Sequence, residues 1–179
     1  MIDKIKKIDD DVMNKIVKIH TPFVSRIMII ATYAGTGAFI WWVTLCLPFV
    51  LTKKYRYVGI NLILALGVTF LLGEIIIKRM VGRARPSEEI DESEMLINKP
   101  KQYSFPSGHT ASSFTAFSVT LLCCPYYIWL PVLFVACLIS FSRLYLRVHF
   151  LSDVIAGCVF GLLSGFASVA VFERLFLKA

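Results

Sequence analysis

Apolar stretches recur along this chain from Pro22 almost to its end, several of them near the roughly 20 residues that a bilayer-spanning helix requires. That recurrence decides the fold class. Hydrophobic residues make up 57% and charged residues 17% of the 179 positions, whereas a soluble domain is about 45–50% apolar. The expectation is an all-α, polytopic transmembrane helical bundle, built as a single domain over residues 1–179.

Helices are expected at about 22–34, 36–52, 57–78 and 109–124, then, after a turn framed by Pro125 and Pro131, in a run to about 145, and at 151–172, which gives about six membrane helices. The first of these would reach only about 20 Å at 1.5 Å per residue, short for a bilayer. Ahead of them, Ile2, Ile5, Ile8, Val12, Ile16 and Ile19 recur at helical spacing among five lysines and four aspartates, so residues 1–20 read as an amphipathic helix lying in the membrane interface. The loop at 79–108 and the turn at 147–149 are separated by two spans, so parity puts both at one end of the bundle. Lys53, Lys54, Arg56, Arg174 and Lys178 fall at the other end, joined by the lysine-rich N-terminus if the first helix crosses. The positive-inside rule then gives a multi-pass cell-membrane protein with its 79–108 loop outside the cytoplasm.

A net charge of +7 would point to nucleic acid in a soluble protein, but here the basic residues sit at helix ends and in short clusters, so no nucleic-acid partner is expected. Cys46, Cys123, Cys124, Cys137 and Cys158 all lie in apolar stretches without paired spacing, as small buried hydrophobes do. The first 20 residues carry charge throughout and lack the apolar core of a cleavable leader.

Three clusters interrupt the apolar pattern: Lys78 with Arg85-Pro86; Pro106-Ser107-Gly108-His109; and Ser142-Arg143 followed by His149 and Asp153. They bring three fixed cations, two imidazoles and a carboxylate to one predicted end. Phosphate esters are anionic and hydrolyse very slowly unaided, so a catalyst must hold the group and stabilise charge on its oxygens. Lys78, Arg85 and Arg143 suit that task, and the backbone N–H groups of Ser107 and Gly108 open a helix whose positive end attracts anions. His149 and Asp153 are four apart, on one face if the last helix already includes His149, so the carboxylate would fix the imidazole tautomer and free the other nitrogen to attack phosphorus. His109 would protonate the leaving group and later activate water.

The spacings of these three clusters resemble the full signature of the type 2 phosphatidic acid phosphatase (PAP2) superfamily, over Lys78 to Asp153, and the short chain is most similar to its bacterial members. That resemblance implies a helical bundle shared with soluble vanadium haloperoxidases. It implies phosphate binding by Lys78, Arg85, Ser107, Gly108 and Arg143, with His149 as nucleophile, His109 as acid and Asp153 as orienting group. It also implies a metal-independent reaction with no cofactor, acting on a membrane lipid phosphate such as undecaprenyl diphosphate, phosphatidylglycerophosphate or phosphatidic acid.

Other readings stay open on the residues alone. The same cations would serve a transporter or flippase that binds a lipid phosphate without hydrolysing it. Glu74 either positions Lys78 or acts in the site; Arg79 and Arg83 either contact a second phosphate or headgroup or anchor to lipid. The run Glu88, Glu89, Asp91, Glu92, Glu94 reads as a solvated loop or a lid. Gly157, Gly161 and Gly165 share one helix face, which fits close packing inside the bundle or a homodimer contact.

Overall fold

The computed structural model describes residues 2–177, and Lys178 lies outside them. Among the described residues all regular structure is helical. Amphipathic α1 (Ile2–Val17) leads to α2 (Pro22–Gly35), where Thr21 accepts a hydrogen bond from the Val24 N–H and Pro22 occupies the first turn, where its missing N–H costs nothing. Left-handed backbone at Gly37 and Ala38 (φ 58° and 59°) turns the chain into α3, residues 39–51. Next come α4 (residues 56–81), α5 (Gly108–Cys123), α6 (Tyr126–Tyr145) and α7 (Leu151–Phe172). All six helices expected after residue 20 are therefore present, although α6 begins at Tyr126 and carries Pro131 inside it, where a turn was expected. Four stretches, Pro22–Leu51, Lys53–Val81, Tyr126–Tyr145 and Leu151–Phe176, are long and apolar enough to cross a membrane.

The centre of the bundle is α5, which is shorter, at 16 residues, and rich in serine and threonine. Apolar packing alone drives helices together weakly in lipid, so close backbone approach and interhelical hydrogen bonds have to contribute. The Thr69 and Thr115 hydroxyls meet at 2.9 Å, Trp41 donates to Ser113 at 3.1 Å, and Thr115 also donates to the Gly161 carbonyl at 3.2 Å. A Cβ added at Gly157 would stand 2.6 Å from the Ser107 carbonyl oxygen, and one at Gly161 would stand 2.3 Å from that of Ala111. The glycine face is thus filled by α5 of the same chain, which resolves the choice between internal packing and a dimer contact at that stripe. Around this seam Trp41, Leu62, Ala116, Val119, Ala136 and Ile139 form the buried core.

Both ends of α2 lie at the end of the bundle that carries the loop 82–107. Tyr145 bonds to the Thr21 N–H and the Ser25 hydroxyl, while Gly35 packs against His109. Helix α1 is at this end too, with Met13 and Ile16 buried. The expectation that a crossing first helix sends the lysine-rich N-terminus to the other end is therefore corrected: α2 is a 14-residue strut along α6. Nor does α1 rest on its isoleucine stripe alone. Ile5 and Ile8 are exposed, and the docked face is Asp9, Met13 and Ile16.

Replacing Gly161 by alanine should cost about 1–3 kcal/mol through overpacking against backbone. Gly67→Ala, where nothing lies within 4 Å, should be neutral or stabilising. Thermal melts of the two purified variants check this; equal melting temperatures would show that α5 and α7 do not depend on their close approach.

Candidate active site

A π-helical turn, Leu71–Ile77, precedes Lys78 and alters the phase of α4, as such turns often do near functional sites. Glu74 and Lys78 both line the resulting cavity, and the ammonium lies 2.7 Å from the carboxylate. Helix α4 stops at Gly82, in left-handed backbone, and the loop returns Arg85 to the same cavity. Arg143 enters from the last turn of α6. A tight turn through Arg147 (φ 57°) then brings the Val148 and His149 N–H groups back onto the Arg143 carbonyl, which fixes His149 beside that arginine. The cavity is about 470 Å³ and is lined by Glu74, Lys78, Arg85, His109, Arg143 and His149 among others.

The three cations are nearly buried, at 4% exposure each, but they are not equivalent. Arg85 donates from Nε to the Gln102 carbonyl, from Nη2 to that of Tyr103, and from Nη1 to that of Val148 and to His149 Nε2. Four of its five N–H groups are spent, so it chiefly ties the loop to the turn and keeps one donor for an anion. Burial presses its pKa below the ordinary value, against the opposing charges of Glu74, Asp153 and Glu88. Arg143 donates to the Thr32 hydroxyl through Nη1, and its Nε has no protein partner. It is the freer guanidinium. Ser107 is the N-cap of α5, yet no side chain caps the helix. Its own N–H goes to the Asp153 carbonyl at 3.1 Å, which leaves the next N–H groups, from Gly108 onward, as the donors at that helix end.

His149 lies just before α7, in the turn, rather than inside the helix as the four-residue spacing suggests. Asp153 still reaches it, because as the third residue of α7 it turns back to accept from the Phe150 N–H at 2.9 Å. The Asp153 Oδ2 to His149 Nδ1 distance is 3.5 Å, longer than a direct hydrogen bond. The tautomer is set from the other side: Arg85 can only donate, so Nε2, 3.0 Å from Nη1, accepts and the ring proton belongs on Nδ1. Burial first, then the positive charge of Arg85, Arg143 and Lys78, holds the His149 pKa well below 6.5, with the Ser104 backbone opposing. His149 is therefore neutral at pH 7. His109 sits at the α2–α3 corner with Nε2 3.4 Å from the Thr36 hydroxyl.

All eight residues expected from the sequence converge at this end of the bundle: six line the cavity, Ser107 is buried next to Gly108 with its N–H on the Asp153 carbonyl, and Asp153 stands behind His149. Sequence reasoning missed Asp9, Ser104 and the use of Arg83. Arg83 is engaged by two carboxylates: it binds Asp9 at 2.8 Å and Asp153 at 2.7 Å. Glu88 accepts from the Arg85 N–H, so at least that acid of the run has a local structural role.

The PAP2 superfamily model matches residues 58–177. The chain belongs to the PAP2 superfamily. An undecaprenyl-diphosphatase of Sulfolobus acidocaldarius is 33% identical over 130 residues, which are 73% of this chain and 63% of that protein. The crystal structure of a transmembrane PAP2 type phosphatidylglycerolphosphate phosphatase from Bacillus subtilis superposes with a TM-score of 0.76 at 24% identity, covering 96% of this chain and 88% of that one. A bacterial vanadium-dependent iodoperoxidase shares the fold at TM-score 0.68 and 18% identity, over 93% of this chain and 48% of its own. The kinship with haloperoxidases implied by the motifs is thus present in the fold, and membership places the chain among phosphatases.

Arg85→Lys should lower stability by about 3 kcal/mol, because at least two backbone carbonyls lose a charged donor. Arg143→Lys should leave the melting temperature nearly unchanged but weaken inhibition by orthovanadate about tenfold or more. Melts and inhibition constants on both variants test the division; the reverse pattern would exchange the two roles.

Proposed function

We propose that this protein is an integral membrane lipid phosphatase, hydrolysing a lipid phosphomonoester or diphosphate through a phosphohistidine on His149 and without a metal ion. The observation that carries this reading is the setting of His149: a neutral imidazole whose Nε2 lone pair faces the Arg85 guanidinium, beside Lys78, Arg143 and the uncapped start of α5. Binding alone needs the cations. It does not need an imidazole held in one tautomer among them.

Phosphate oxygens take the Arg143 and Lys78 charges, the remaining Arg85 donor, the Ser107 hydroxyl and the α5 N–H groups from Gly108 onward. His149 Nε2 attacks phosphorus, the bond to the lipid oxygen breaks, and His109, protonated in the substrate complex where the phosphate dianion offsets the neighbouring cations, supplies the proton to that oxygen. In the second half, water attacks the phosphorus of the P–N bond, His109 accepts its proton, and phosphate leaves with His149 restored. Asp153 balances the charge that His149 carries while phosphorylated.

The lipid tail is supported by the rest of the cavity wall. Below the charged residues it is lined by Trp42, Leu66, Phe70 and Gly73 of α3 and α4, both apolar helices. Candidate substrates are undecaprenyl diphosphate, phosphatidylglycerophosphate and phosphatidic acid, and the relatives named above act on lipids of the first two kinds. An outward-facing site would suit recycling of a carrier released outside. Lys53, Lys54, Arg56 and Arg174 at the far end favour it, and the lysines of α1, which lie at the site's own end, oppose it. Labelling of a cysteine placed at Lys99 by an impermeant maleimide on intact cells tests it: labelling supports an outward site, and labelling only after lysis reverses it.

Purified protein in detergent with EDTA should release phosphate from at least one of the three lipids, and His149→Ala should retain lipid-phosphate binding without turnover. Strict dependence on added divalent ion, or full activity in the variant, would refute the mechanism. Because the His149 pKa is depressed, its lone pair is lost only on acidification below the ordinary value of 6.5. The acid limb of kcat/KM, corrected for substrate ionisation, should accordingly lie below 6.5; a limb at or above that value would contradict it.

A further inference from the structure

The N-terminal helix places a carboxylate where apolar docking would suffice. Asp9 shares a face with Met13 and Ile16, and it is 1% exposed. Its Oδ1 accepts from the Ser152 N–H at 2.9 Å, and its Oδ2 accepts from the Ser152 hydroxyl at 2.6 Å and from Arg83 Nη2 at 2.8 Å. Arg83 extends its other arm, Nη1, to Asp153 Oδ1 and to the Ser152 hydroxyl, both at 2.7 Å, with its guanidinium 4.3 Å from the centre of the Phe150 ring. The opposite oxygen of Asp153 faces His149 Nδ1 at 3.5 Å and accepts from Ser104 and the Phe150 N–H. A buried carboxylate is costly unless it is fully paired, and this one is paired entirely with groups around Asp153.

We propose that Asp9 is a positioning residue of the active site: through Arg83 it holds the Asp153 carboxylate against His149, so that docking of α1 is required for turnover. The proposal rests on the reading of His149 and Asp153 given above. Its physical basis is the division of one guanidinium fork between two acids. Arginine pairs most strongly when both arms engage a single carboxylate. Without Asp9, Arg83 would turn both arms onto Asp153 and draw it away from an imidazole already beyond hydrogen-bond length. An α1 helix that only anchored the chain to the interface would have no effect on that distance.

The test compares Asp9→Asn, Asp9→Glu, Arg83→Lys and the Asp9→Asn/Arg83→Lys double variant, as full chains in the same lipid and detergent, at matched folded fraction by thermal melt. Arg83→Met is avoided because it would leave two buried carboxylates without their shared cation. Asp9→Asn should lower kcat about 10- to 100-fold with KM changed by less than about twofold, as expected of a misplaced catalytic group. Asp9→Glu should recover part of the rate, and the double variant should be no slower than Arg83→Lys alone. Wild-type rate in Asp9→Asn, a loss confined to KM, or losses that multiply in the double variant would each overturn the proposal.

A spectroscopic arm does not depend on the substrate. The chain has three histidines, so the His149 Nδ1–H proton can be assigned in 15N-histidine-labelled protein by difference from His20→Gln and His109→Gln variants. It should move upfield in Asp9→Asn as the carboxylate withdraws, and an unmoved signal would overturn the positioning role even in a protein that released no phosphate. Absence of turnover in wild type, with the signal shifting as expected, would instead count against the phosphatase reading alone.

Discussion

Three nearly buried cations share one cavity with a single carboxylate, and the rest of the site follows from that imbalance. Lys78 is matched by Glu74, but Arg85 and Arg143 have no carboxylate within hydrogen-bond distance. Burying such charge costs several kcal/mol per ion unless partners compensate. Here the partners are carbonyls, a hydroxyl and a helix N-terminus, which solvate the guanidinium groups or attract anions without cancelling the positive charge. The phosphate dianion of the proposed substrate would supply the missing negative charge. Burial, and after it the same excess positive charge, keeps the adjacent His149 in its neutral form.

Holding like charges this close requires a rigid frame, and in a membrane that frame has few sources of energy. The glycines at 157, 161 and 165 let α7 approach α5 to backbone contact, while threonine and serine hydroxyls bond across the seam. That contact fixes the α5 N-terminus against the start of α7, where the Ser107 N–H meets the Asp153 carbonyl. Arg85 then fastens the long loop to the short turn through three backbone carbonyls. Packing, loop closure and placement of His149 are in this way parts of one network, and α1 joins it through Asp9.

Much of this was legible in the sequence because the membrane simplifies the code. Apolar run length gave the helices at 57–78 and 151–172 to within a few residues, and parity correctly brought the clusters to one end, but Pro131 suggested a turn where α6 runs on through it from Tyr126. The errors have physical causes. Asp9 stands in a charged, lysine-rich helix, where an acid looks solvated; only the partner Arg83, 74 positions away, shows that it is buried. Arg83 stayed open between a phosphate or headgroup contact and a lipid anchor for the same reason, since its partners come from α1 and α7. The spacing of His149 and Asp153 was read as one helix face, whereas a left-handed residue at 147 and a helix starting at Leu151 bring them together through a turn. The path of α2 was also beyond reach, because a 14-residue apolar helix has the same composition whether it crosses the bundle or braces one end of it.

The most direct measurement is to trap the enzyme during turnover. Protein mixed with a 32P-labelled lipid phosphate that it hydrolyses, quenched in base on the millisecond scale and digested, should carry acid-labile, base-stable label on the peptide containing His149. The label should disappear on chase with unlabelled substrate. Turnover at the normal rate with no label on that peptide at any quench time, or label on a serine instead, would contradict a site built around a neutral His149 among uncompensated cations.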